Sequence, residues 1–416
     1  MMKRFGAVLC ALALGSVTAC GADEESAGSD GGGRGPIVVT EFQSNAEATQ
    51  AVIDAWNEKH PDQKATLDVQ PADADGQRQR LINNARTKSD AMDVILLDVV
   101  WTAEFAANRW IEPLDQELID AAGLIDATAR TGEYRGNTYS MPWRTGTGLL
   151  FYRKDLVRDA PTTWAEMEAA CAKVLPKQKG MDCYAGQLDK YEGLTVNFSE
   201  AVQSAGGSVL DGSGKPSLDT SEAKAGLEFL VDGLKSGRIP EKGITYQEDQ
   251  TKNALASGGV LFGRSWAGLY TDLNAPESEV SGKIGVAPLP GLDGLGSGTL
   301  GGNNLAISSF SKHKETARDF IRFVTSAEQM KAWATSQSTP VTRASLYEDP
   351  ELVEMYPYLP ALKEGIEEAA PRPVAVKYGD VTAAIQDAVY PALTGETEPD
   401  EALDTLQRRL TELLAE

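Results

Sequence analysis

Histidine is almost missing from this 416-residue chain, which holds only His60 and His313. Cysteine is nearly as scarce, and no Cys/His cluster has the spacing of a zinc site, so a metal centre is not expected. Positive charge is also in deficit: 39 Lys and Arg stand against 61 Asp and Glu, a net charge of −22. Binding a phosphate backbone takes clustered Lys and Arg, so nucleic acid is not the expected partner. The same charge disfavours direct adsorption to anionic lipid. The apolar run from Phe5 to Val17 is too short to span a bilayer. Gly-x-Ser-x-Gly, His-Glu-x-x-His and P-loop patterns are all absent, which removes the common catalytic signatures, and no internal repeat has a fixed period.

Residues 1–19 read as a signal peptide, with Lys3 and Arg4 ahead of a run rich in Ala, Leu, Val and Gly. The run ends in Val17-Thr18-Ala19-Cys20, which resembles the bacterial lipobox, whose cysteine is acylated and becomes the new N-terminus. Cys20 is thus the expected lipidation site, and the outer face of the cell membrane is the expected location. Residues 20–35 contain almost nothing apolar beyond Gly, Ser, Asp and Glu, as a flexible tether requires. Outside the cell the remaining pair, Cys171 and Cys183, reads as one disulfide closing a short loop.

The ~380 residues that follow exceed what one hydrophobic core usually organises, so two lobes are expected. From Pro36 short apolar runs alternate with amphipathic stretches, the pattern of parallel sheets covered by helices. Strands at 37–42, 65–69 and 93–98, with helices at 47–60 and 77–88 between them, make a βαβαβ start. Further helices are read at 221–235, 314–326, 327–336 and 400–414, and Thr163 with Glu166 forms a capping box. Glycines in Met141-Pro142-Trp143-Arg144-Thr145-Gly146-Thr147-Gly148 mark a crossing between lobes. A Gly-rich stretch at 291–302 is expected to separate strands at 284–289 and 305–308. The lobes divide as 36–145 with 305–338, and 146–304 with 339–416.

Small hydroxyl-rich ligands need a flat aromatic face and a set of carboxylate, amide or guanidinium groups. In open α/β sheets these sit beyond the carboxyl ends of strands. Glu41, Gln43 and Asn45 follow the first strand, and Asp98 closes the third, where it could equally cap the next helix. Trp266 is flanked by small residues in Gly263-Arg264-Ser265-Trp266-Ala267-Gly268, which leave a ring face uncovered. Trp143 and Arg144 lie on the crossing. Arg372 is fixed between Pro371 and Pro373, suited either to bidentate contacts or to a buried salt bridge. Glu248, Gly301, Gly302 and Asn303 complete the candidate ligand-binding set, while Trp56, Trp110, Trp164 and Trp333 are assigned to the core.

Several stretches in order resemble the sugar-binding proteins of bacterial ABC importers, in particular the trehalose- and maltose-binding group. They are residues 93–101, Glu104-Phe105-Ala106 with Trp110-Ile111-Glu112-Pro113-Leu114, Gly148 to Leu156, Gly301 to Ser308, and Arg372-Pro373-Val374 with Tyr378. The resemblance runs from Ile37 to Leu414. It implies an α/β, two-lobed periplasmic-binding-protein fold with multiple hinge crossings and a ligand cleft between the lobes. It also implies that positions equivalent to Glu41, Asp98, Trp266, Gly302 and Arg372 contact a disaccharide. Implied partners are the permease subunits of the importer, with no cofactor and a monomeric state. The group often has an acid or amide at the position of Gly146, an aromatic at that of Arg144 and a bulky residue at that of Asn303, so the exact sugar stays open.

Two other functions compete. An exported glycoside hydrolase needs a carboxylate pair, and with 61 acidic residues composition does not exclude one. A receptor for peptides, polyamines or a metal complex is the other; Arg144 and Arg372 oppose a polyamine.

Overall fold

The structure, a computed structural model, describes residues 33–71, 73–337 and 340–415. Cys20, the signal peptide and most of the tether lie outside the described residues.

Two sheets organise the chain. In the first, Ile37–Phe42 pairs in parallel with Ala65–Gln70 on one side and Val94–Asp98 on the other. These strands and the helices between them, Ala46–Lys59 and Ala74–Arg86, are the expected βαβαβ start. Hydrophobic spacing explains the first helix: Ile53 and Trp56 are buried on its inner face, and the preference of the residue before Pro61 for extended backbone stops it. Thr299–Ile307 then runs antiparallel to Val94–Asp98 and, along its other edge, antiparallel to Ser140–Thr147.

The second sheet holds Ile284–Pro288, Leu149–Arg153, Val260–Ser265 and Asp182–Ala185 in that order. Ser140–Thr147 lies in the first sheet and Leu149–Arg153 in the second, so the chain crosses between them at Gly148, as its glycines predict. The Gly-rich stretch behaves otherwise than expected. The strand read at 305–308 already starts at Thr299, so Gly301 and Gly302 lie inside it rather than before it. Both are glycine because side chains and backbone press on them, as the site geometry makes clear.

Residues from Val341 to Ile366 pack into the same core as Phe320 and Trp333, while Val381 to Leu410 pack with the helices over the second sheet. Trp56, Trp164 and Trp333 are buried, as their helical spacing predicts, and Trp110 is partly so against Phe105. Helix Trp164–Val174 opens on the expected capping box of Thr163 and Glu166. Cys171 and Cys183 form the expected disulfide, tying that helix to strand Asp182–Ala185.

Candidate functional site

The strand Thr299–Ile307 brings distant segments to one place. Along one edge it pairs first with Ala370–Pro371, at Thr299 and Leu300, and then with Val94–Asp98, from Asn303 onward. The end of the Asp98 strand therefore abuts the Pro371-Arg372 segment. Arg372, 2% exposed, donates to Asp98 and, through Nη1, to Glu192 Oε1 at 2.7 Å. Asp98 also accepts from the Val100 amide at 3.2 Å, within the turn before helix Thr102–Ala107, whose N-terminus has no side-chain cap, so Asp98 does not cap that helix.

Glu192 begins helix Glu192–Ser204. Its carboxylate accepts from the hydroxyls of Tyr378 and Thr382, the latter at 2.8 Å. Burial pushes Glu192 above the usual carboxylate range, opposed by the Arg372 charge and reinforced by Asp98. Burial works to lower the Arg372 pKa, yet Asp98, Tyr378 and Glu192 outweigh it and hold the guanidinium charged. Arg372 Nε is buried with no partner among the described residues. The same side chain lines a cavity of about 250 Å³ with Val99, Thr102, Leu300, Pro371 and Val374.

Trp266 follows strand Val260–Ser265 and is half-buried. A Cβ on Gly301 would lie 2.6 Å from Trp266 Cζ3, so the indole rests on the backbone of the crossing strand. At Gly302, φ is +127° and a Cβ would meet the Arg144 carbonyl oxygen at 2.1 Å, so only glycine fits. Gly146 pairs directly with Gly301 and is buried, but a Cβ there would meet nothing within 4 Å. Opposed residues of an antiparallel pair share a face. Open space over Gly146 therefore lies on the side of the strand that carries Trp266.

Of the other predicted residues, Asn303 pairs with Asp98, and Glu41, Trp143, Arg144 and Glu248 find their side-chain partners elsewhere. Glu41 is fully buried and accepts from Arg144 Nη2 at 3.0 Å, Thr49 Oγ1 at 2.7 Å and the Phe42 amide at 2.7 Å. Arg144, 2% exposed, lies over the rings of Trp143 and Trp333, at 4.6 and 5.2 Å from their centres. Trp143 packs on Trp333 in the core. Their charges and rings are thus satisfied inside the first sheet's core, apart from Arg144 Nε and Nη1, which lack partners among the described residues. Gln43 is exposed and Asn45 half-buried in the turn Gln43–Asn45. Glu248 is exposed at the start of helix Glu248–Ala256 and accepts from the Tyr191 hydroxyl at 2.7 Å. Asn303 is half-buried opposite Asp98 and Arg144.

Glu192 and Glu200 escaped the sequence reading. An acid at the first position of a helix reads as a partner of the helix dipole, and nothing nearby in the chain marks Glu192 as the mate of Arg372, 180 residues on. Among the described residues no group of three or more His, Cys, Asp or Glu is placed to hold a metal ion.

A family model for the bacterial extracellular solute-binding proteins matches residues 51–361. The probable ABC transporter-binding protein of Deinococcus radiodurans is 31% identical over 377 residues, covering 86% of this chain and 89% of its own. A probable amino-acid ABC transporter periplasmic-binding protein of Sinorhizobium fredii is 27% identical over 350 residues, with 80% and 79% covered. Among solved structures, maltose-bound T. maritima MalE3 superposes with a TM-score of 0.87 at 32% identity, covering 91% of this chain and 100% of that one. The fold is accordingly the expected two-lobed α/β binding-protein fold.

Proposed function

The chain belongs to the bacterial extracellular solute-binding protein family, and we propose that its solute is a neutral carbohydrate delivered to an ABC importer. Members of this family act outside the cytoplasm by holding a solute, and the activity expected of this chain is binding, without bond cleavage. The observation that carries the carbohydrate reading is the half-buried Trp266 indole seated on Gly301, in the strand whose edge meets Asp98 and Arg372. An indole face takes the C–H surface of a sugar ring, and charged donors and acceptors take its hydroxyls.

Charge balance favours a neutral ligand. Arg372 already faces two carboxylates, Asp98 and Glu192, so it offers no unmatched positive charge to the carboxylate of an amino acid. Both carboxylates are likewise committed to that guanidinium, which speaks against their serving as the free acid and base of a glycoside hydrolase. Within the carbohydrates, a disaccharide or short oligosaccharide of the α-glucoside class, such as maltose or trehalose, fits best with the 32% identity to maltose-bound MalE3. Closure of two lobes on the sugar, by a shift of population toward the state that binds better, is the mechanism. Acylation of Cys20 would keep the receptor at the membrane beside its permease.

Calorimetric titration of the purified protein with maltose, trehalose, sucrose, maltotriose and a mixture of amino acids tests this, with product analysis for hydrolysis in parallel. Saturable heat with an α-glucoside and no turnover is expected. Heat with amino acids alone would remove the carbohydrate assignment, and turnover of a bound glycoside would restore the enzyme reading.

A further inference from the structure

Arg264 is a fully buried arginine that touches Trp266 and does not itself belong to the Asp98 cluster. Its guanidinium carbon lies 4.0 Å from the centre of the Trp266 ring. Nε and Nη2 donate to the two oxygens of Glu200 at 2.7 Å each, a bidentate pair, and Nη1 donates to Gln187 Oε1 at 3.0 Å. A planar fork held on all three nitrogens has little freedom to rotate, so its flat face is fixed in orientation.

Glu200 reaches further than this one partner. Its Oε1 also accepts from the amide and the hydroxyl of Thr299, both at 3.0 Å. Gly148 lies against it too, for a Cβ there would come within 2.1 Å of Glu200 Oε1 and 2.9 Å of Arg264 Nε. Gly148 and Thr299 are the points where the two long crossing segments leave one sheet for the other. One carboxylate therefore holds both crossings and, through Arg264, the ring of Trp266.

We infer that Glu200 and Arg264 are positioning residues that set the pose of the Trp266 indole and couple it to the crossing segments, so that the platform is aligned when those segments are in register. This rests on Trp266 being the sugar platform. The ring is contacted by the Arg264 guanidinium, from the strand that leads into Trp266, and by the bare backbone of Gly301, from the crossing strand of the other sheet. A displacement at Thr299 moves two donors to Glu200, and one at Gly148 moves backbone packed against the same carboxylate, so either passes to the guanidinium beside the indole.

A double-mutant cycle on the full protein tests this, with maltose and trehalose as titrants. Glu200→Gln alone is expected to weaken binding about tenfold, whereas in a Trp266→Ala background it should cost less than about twofold, since residues acting through one another are not additive. Arg264→Lys keeps the charge but loses the planar fork, and its loss of affinity should match that of Glu200→Gln. Equal losses in both backgrounds, or wild-type affinity in Arg264→Lys, would overturn the inference. A second readout needs no sugar: acrylamide quenching of Trp266 fluorescence, obtained by difference from Trp266→Phe, should rise in Glu200→Gln and in Arg264→Lys. Unchanged quenching in both also overturns it. If the wild type binds neither sugar while quenching rises as expected, the carbohydrate reading fails and the positioning role stands.

Discussion

Trp266 and Gly301 touch with no side chain between them: a Cβ on the glycine would lie 2.6 Å from Cζ3 of the indole. Gly301→Ala should therefore push the ring off its seat and weaken sugar binding by about tenfold, at a stability cost of about 1–3 kcal/mol for overpacking. Its partner across the strand pair offers the control. Gly146→Ala meets nothing within 4 Å and should leave the melting temperature close to wild type. Titration and thermal melts of the two variants check this, and equal behaviour of both would refute it.

Arg372 joins Asp98 to Glu192 while 2% exposed. Arg372→Ala leaves two carboxylates without their cation, and removing one member of a buried ion pair costs roughly 3–5 kcal/mol. The variant should lose most sugar affinity and unfold at lower denaturant. Affinity equal to wild type in a titration would place Arg372 outside the site.

Glu192 links stability to pH. Burial holds its folded pKa above the ordinary 4.5, so the folded protein takes up this proton more readily than the unfolded chain. The stabilisation from this group is then complete below the unfolded value and is lost as pH rises through the folded value. Urea unfolding of wild type and Glu192→Gln from pH 4 to 8 should show the wild type gaining on the variant as pH falls. A difference that does not change with pH would contradict the assignment.

The Cys171–Cys183 bridge closes a loop of sequence separation 12. Restricting the unfolded chain by a loop of that length contributes about 3 kcal/mol. Cys171→Ser with Cys183→Ser should lower denaturant stability by about that amount. Sugar affinity should stay near wild type, since neither cysteine belongs to the Asp98, Arg372 and Trp266 set. Denaturation and titration of the pair of substitutions measure both.

Asp98, Trp266 and Arg372 each carry a local mark in the sequence: a strand end, an indole among small residues, an arginine between prolines. Trp143 and Arg144 carry marks of the same kind, yet both are buried against Trp333. Every residue of Ser140–Thr147 is buried, and the open space along it lies over Gly146 rather than over Trp143 or Arg144. Glu41 shows the same limit, since its strand-end position is indistinguishable along the chain from that of Asp98, and only the fold gives one of them Arg144 and the other Arg372.

Alternating apolar runs, the Thr163 cap, the cysteine pair and the crossing at Gly148 were legible along the chain because each depends on residues a few positions apart. Pairings across 64, 103, 180 and 274 residues were not, for Glu200 with Arg264, Glu41 with Arg144, Glu192 with Arg372 and Asp98 with Arg372. A carboxylate has no partner written beside it. Its mate is chosen by which strand edges and helix ends the packed sheets bring within reach, and that choice exists only in three dimensions.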